Sequence, residues 1–316
     1  MKTSLSILLA VTLAQVTGTA QEAEKTARFR TVALTATETK KHHFAPVTVE
    51  GKKQSFIVDT GFGGEFVFAK SLATDLAKKL TPKGNGRTVA GEAKLFTTNF
   101  SSVHFGEVIK LKNQTGDVAD LPSHLNLTVP GEEATTTGGL IGSTFFLRSR
   151  AIISYKHQAI LIPPNGVAKE AYTQSRRAEG DRILKLTPGS KNRPFIQLTI
   201  QGKDYHFLVD TAAGSNLILP ELVEELGLET KETNSSVVGG GDGQATNLRW
   251  ALVDNVTFGG TITLPKFDFY VLPNHAGVVP PEGTTYGGIL GSSLLRQLNC
   301  ELDFGSYTML VPRRKK

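Results

Sequence analysis

The sequence predicts a mostly β protein of two lobes built on one plan, with a few short helices. Three observations carry that expectation. The segment Phe56-Ile57-Val58-Asp59-Thr60-Gly61 returns as Phe207-Leu208-Val209-Asp210-Thr211-Ala212, 151 residues on, and its lead-in Val47 to Lys52 returns in step at Leu198 to Lys203. Gly139-Leu140-Ile141-Gly142-Ser143 returns as Gly288-Ile289-Leu290-Gly291-Ser292, 149 residues on. Between these landmarks, short β-branched and aromatic runs broken by glycine read as strands and tight turns. Self-similarity at a nearly fixed offset is the mark of a repeated structural unit.

Residues 1–20 read as a signal peptide. Lys2 supplies the positive start, Leu5 to Leu13 the apolar stretch, and Gly18-Thr19-Ala20 the small-residue cleavage site. That stretch is too short to span a bilayer, and no other run is apolar enough, so a secreted or periplasmic protein without a membrane span is expected. Residues 21–42 are rich in Glu, Lys and Thr and suit a lead-in segment or an edge strand. The first lobe takes 43–164. Within it, Val47 to Val58 forms a hairpin entering the Asp59 turn, and Leu72, Leu76 and Leu80 place an amphipathic helix over Ala69 to Leu80. Residues 84–96 form two strands around a glycine-bearing tip, and Ser143 opens a short helix. Residues 165–188, poor in large apolar groups, read as a linker. The second lobe, 189–316, repeats the programme: a helix at Pro220 to Leu228, a glycine tip at Gly239 to Gly243, and a short helix from Ser293.

One Asp-Thr-Gly alone is an ordinary turn. Two, one per lobe and in equivalent frames, can bring two carboxylates face to face. Such a pair cannot easily ionise twice, so it shares a proton and can activate water against a carbonyl, with no metal, cofactor or covalent intermediate required. On these motifs the chain resembles the aspartic peptidases of the pepsin and retropepsin type over residues 43–312. The resemblance implies two retropepsin-like (pepsin-type) β-barrel lobes related by pseudo-two-fold symmetry. It implies an aspartic-type endopeptidase with Asp59 and Asp210 as the catalytic pair, supported by Thr60, Gly61, Thr211 and Ala212. Leu140-Ile141-Gly142 and Ile289-Leu290-Gly291 match the family's strand that threads the catalytic loop. Ala90 and Gly91 in one lobe, and Gly239, Gly240 and Gly241 in the other, match flaps that cover substrate. Two such tips resemble a retroviral protease dimer fused into one chain more than pepsin, whose one flap carries a tyrosine.

Two departures stand out. Ala212 replaces the second glycine, and Phe62 and Ala213 stand where pepsins often carry a hydroxyl that lowers a carboxyl pKa, which moves the expected pH optimum toward neutrality. The alternative on the same fold is a catalytically inactive peptide- or glycan-binding protein. A peptide or protein substrate and a monomer are expected, because both lobes lie in one chain. Net charge is +6 and the basic tail Arg313 to Lys316 has no aromatic interleaving, so no nucleic-acid partner is indicated. Gly239 to Gly243 lacks the Lys-Ser/Thr of a phosphate loop. His42-His43 reads as a surface pair, and the single cysteine, Cys300, as a buried inert thiol.

Overall fold

The computed structural model describes residues 29–37, 42–88, 91–121, 136–238, 245–272 and 278–313. Each lobe is a six-stranded barrel closed on itself. In the first, the order around the barrel is His43–Val49, Lys52–Asp59, Thr137–Gly142, Phe66–Ala69, Ile109–Ala119 and Gly91–Phe105. Closure comes where Val47, Thr48 and Val49 pair with Phe105, His104 and Val103. The second barrel runs Pro194–Ile200, Lys203–Val209, Tyr286–Leu290, Leu217–Ile218, Ile262–Val271 and Ala245–Phe258. It closes through Leu198 and Thr199 against Phe258 and Thr257. The repeat in the sequence is thus a repeat of barrels, each closed by its first and last strands while Thr81–Thr88 and Thr230–Val238 extend the two sheets beyond the closure.

The alternating burial of His43–Val49 and of Pro194–Ile200 is what a strand with one face on a core requires. Phe56, Ile57 and Val58 are buried on both faces, because the strand that delivers Asp59 runs between the barrel interior and the neighbouring lobe. Phenylalanines fill both interiors. Phe56, Phe66, Phe68, Phe100, Phe105 and Phe145 meet largely edge-on in the first, Phe258, Phe267 and Phe269 in the second.

A third sheet joins the lobes. Its order is Arg30–Ala33, Ala159–Ile162, Ile152–Ser154, Glu301–Asp303, Thr308–Val311 and Arg182–Lys185. The lobes meet at its centre, where Ile152, Ile153 and Ser154 pair with Asp303, Leu302 and Glu301. The segment 29–36 therefore supplies edge strands, and Val32 joins the core.

The segment 165–188 is more than a connection. It holds a helix, Ala171–Ala178, and the outer strand of this sheet. The helix is fastened by a buried polar network: Arg176 pairs with Glu301 (3.3 Å), Asp181 (2.5 Å) and Glu179, and Tyr172 OH donates to Glu301 Oε2 at 2.9 Å. Ser154 Oγ donates to the other Glu301 oxygen at 2.6 Å, so one carboxylate ties linker and both lobes.

Three local expectations change. The helix expected to reach Leu80 is Lys70–Asp75, stopped where Ala77 turns left-handed at φ 52°. Its counterpart is Pro220–Glu225, opened by proline at its first position and ended near Gly227, at φ 61°. His43 is not a surface residue: it is 5% exposed, stacked edge-on against Tyr155 at 4.9 Å, and burial lowers its pKa to about 4, so it stays neutral. Cys300, by contrast, is buried as expected, one residue ahead of Glu301–Asp303, and burial raises its thiol pKa.

Candidate active site

Asp59 closes the strand Lys52–Asp59 beside Gly142, and Asp210 follows Lys203–Val209 with its N–H on Leu290 O at 2.9 Å. Both carboxylates stand where a parallel pair of strands gives way to a loop. Each loop is threaded by the glycine strand. A side chain at Gly142 would overlap Phe62 O and Gly64 O, and one at Gly291 would overlap Ala213 O and Ser215 O. Ser143 and Ser292 then donate their N–H groups to Phe62 O (2.8 Å) and Ala213 O (2.7 Å), and Ser143 Oγ donates to Thr60 O at 2.5 Å.

The loops are cross-braced between lobes. Thr60 Oγ1 donates to Val209 O at 2.6 Å and accepts from the Thr211 N–H at 3.1 Å. Thr211 Oγ1 donates to Val58 O at 2.6 Å and accepts from the Thr60 N–H at 3.1 Å. Both threonines are buried, so these four bonds are shielded from water and leave no donor unmet. This reciprocal grip places Asp59, Thr60, Gly61, Asp210, Thr211 and Ala212 in one site.

Gly61 and Ala212 are not equivalent. A Cβ on Gly61 would overlap the Asp210 carboxylate. Ala212 instead packs on a small apolar cluster of Phe44 and Ile57, with Leu140 beside it. The departure from glycine is therefore housed by the opposite lobe.

With no hydroxyl at 62 or 213, the described donors to the two carboxylates are backbone amides. The Phe62 N–H donates to Asp59 Oδ1 at 2.9 Å, and the Ala212 and Ala213 N–H groups donate to Asp210 Oδ1 at 2.8 and 3.1 Å. Burial pushes both carboxyls above their ordinary range, and the charge of Asp210 pushes Asp59 further. The amides of Phe62 and Gly61, and the guanidinium of Arg193, pull back on Asp59. The amides of Ala212 and Ala213, then Arg193 and the Gly61 amide, pull back on Asp210.

Gly91 begins the strand Gly91–Phe105 and pairs with Thr88, so a hairpin does rise there. Ala90, Gly239, Gly240 and Gly241 lie outside the described residues; the strands Thr230–Val238 and Ala245–Phe258 lead to the second tip and pair at Val238 and Ala245. Reading the sequence for motifs missed Arg193, which no motif marks, and the role of the serines, although both stand in register after the threading glycines.

Comparison with curated protein sequences gives no match. A profile of the aspartyl protease family matches residues 45–145 and 196–294, once in each lobe and over more than half of the chain. Each matched range contains one Asp-Thr loop and the glycine strand that threads it, and on that double match the chain belongs to the aspartyl protease family.

Proposed function

We propose that the protein is an exported aspartic endopeptidase whose catalytic pair is Asp59 and Asp210, acting as a monomer on peptide or protein substrates. The observation that carries this reading is the pair of carboxylates, Asp210 buried and Asp59 half-buried, on loops locked to one another by Thr60 and Thr211. A receptor needs a cleft, but not two proton-sharing carboxylates braced to this degree.

The amides of Ala212, Ala213 and Gly61 act on Asp210 against those of Phe62 and Gly61 on Asp59, so the charge of the pair settles on Asp210 and the shared proton on Asp59. In the forward step, Asp210 takes a proton from water as the water oxygen bonds to the substrate carbonyl carbon, while Asp59 gives its proton to the carbonyl oxygen. The product of that step is a neutral tetrahedral diol, with the proton now on Asp210. In collapse, Asp210 protonates the departing nitrogen, Asp59 regains a proton from one diol hydroxyl, and the C–N bond breaks. The Thr60–Thr211 grip holds the geometry through both steps, so little reorganisation is needed. The flap hairpins exclude bulk water over the bound peptide.

The test is digestion of a denatured protein mixture by the chain purified without residues 1–20, with mass-spectrometric mapping of the cuts across pH. Internal cuts are expected, strongest from weakly acidic to near-neutral pH, and absent from Asp59→Asn and Asp210→Asn. Cutting that survives in either variant removes the carboxylate pair from the mechanism. Peptide binding by the parent without any cutting returns the protein to the receptor reading.

A further inference from the structure

We infer that Arg193 determines specificity by receiving a carboxylate side chain, Asp or Glu, from a substrate residue beside the scissile bond; this rests on the endopeptidase reading above. The segment Ser190–Arg193 leaves the linker and crosses onto the first lobe. The Lys191 side chain lies against Gly63, and Asn192 Nδ2 donates to Thr144 Oγ1 at 3.5 Å, whose hydroxyl donates to Gly63 O at 2.7 Å. Tyr307 OH donates to Asn192 O at 2.6 Å, and Lys191 and Asn192 are both left-handed, at φ 57° and 59°. Such a strained turn, pinned at three points, is a device for aiming the next side chain.

That side chain is Arg193. Its Nε donates within the turn to Ser190 O at 3.1 Å. Among the described residues, no bond or ion pair takes up its two terminal nitrogens. The guanidinium is half-buried and acts on both Asp59 and Asp210, yet it ion-pairs with neither. Tyr286, its ring edge-on to Phe195 at 6.2 Å, stands by both Arg193 and Asp210. A planar fork with two donors to spare takes a carboxylate in two parallel bonds. It also offsets the repulsion that an acidic side chain meets beside a negatively charged pair. In the first lobe the residue in register with Arg193 is His42.

The experiment uses acetylated, amidated peptides, so that the varied side chain is the only carboxylate, with Glu or Gln at each position around the cut. The parent should favour Glu by about tenfold in kcat/KM, through KM, with the preference shrinking as salt rises. Arg193→Gln should bring the ratio to about 1, Arg193→Lys should retain part of it, and Arg193→Glu should turn it toward Lys-bearing peptides. Binding of fluorescent versions to Asp59→Asn, with and without Arg193→Gln, reads the same preference without turnover. Cutting with no acidic preference, or with one that survives Arg193→Gln, overturns the assignment and leaves the endopeptidase reading intact. Acidic preference in binding that Arg193 controls, with no cutting by the parent, upholds the assignment and overturns the endopeptidase reading. Neither cutting nor selective binding overturns both.

Discussion

The two Asp-Thr loops share a backbone plan and differ in what surrounds the carboxylate. In the first, Asp59 has one backbone donor at its Oδ1 and a neighbour, Gly61, with no room for a methyl group. In the second, Asp210 has two such donors, and its neighbour Ala212 finds room against Phe44 and Ile57 of the opposite lobe. The threading glycine is held differently as well. Gly142 N–H donates to the Glu65 backbone oxygen, whereas Gly291 N–H donates to the Asn216 side chain at 3.1 Å. Duplication has kept the parts that fix positions, the threonines and the threading glycines. It has let the surroundings of the two carboxylates drift apart, as the additional amide on Asp210 shows.

The sharpest way to break that comparison is at the third residue of each loop. Gly61→Ala should lower kcat by about a hundredfold, because the Asp210 carboxylate must move to admit the methyl group. Ala212→Gly should change it by less than about threefold, since it removes only a contact at an apolar cluster. Steady-state kinetics on one peptide decides this, and equal losses would mean that the loops are interchangeable after all.

The shared part of the plan should fail symmetrically. Thr60→Val and Thr211→Val each remove the hydroxyl that makes two of the four cross-lobe bonds, and each should cost about 2 kcal/mol of stability. Thr→Ser at either position should restore most of it. Denaturant unfolding measures both, and a loss confined to one lobe's threonine would show that the grip is one-sided.

The smallest effect concerns the proton. Asp59 has a carboxyl pKa raised by burial and by Asp210, so the folded state holds its proton more tightly than the unfolded chain does. Stability is therefore fully present below the unfolded value, near pH 4, and is lost as pH rises through the folded one. Asp59→Asn is neutral at every pH and relieves Asp210 of its neighbour. It should match the parent at pH 4 and exceed it by about 1 kcal/mol near pH 8. Melting curves at the two pH values check the sign; a variant less stable at pH 8 would mean that the ionised pair is stabilised in the folded protein.

The barrels, the two Asp-Thr loops and the threading strands were legible because they are local signals written twice. The cross-lobe bonds of Thr60 and Thr211 followed from the same symmetry. The sheet between the lobes was not legible as a unit. Its strands are only three or four residues long, and partners such as Ser154 and Glu301 lie 147 residues apart, with no local pattern linking them. His43 misled because a polar residue beside another histidine looks exposed until a barrel closes over it. Arg193 left no trace because its meaning lies in the left-handed turn ahead of it, formed by ordinary residues, Lys191 and Asn192.

The central sheet also sets the order in which the chain can become competent. Glu301–Asp303 is laid between Ile152–Ser154 of the first lobe and Thr308–Val311, which in turn holds the linker strand Arg182–Lys185. A chain growing from its N-terminus can close the first barrel early, for all six strands lie before residue 143. Its seam to the second lobe waits for Glu301–Asp303 and Thr308–Val311. Until those arrive the two Asp-Thr loops have only the Thr60–Thr211 bonds to hold them together, without the sheet that ties the lobes.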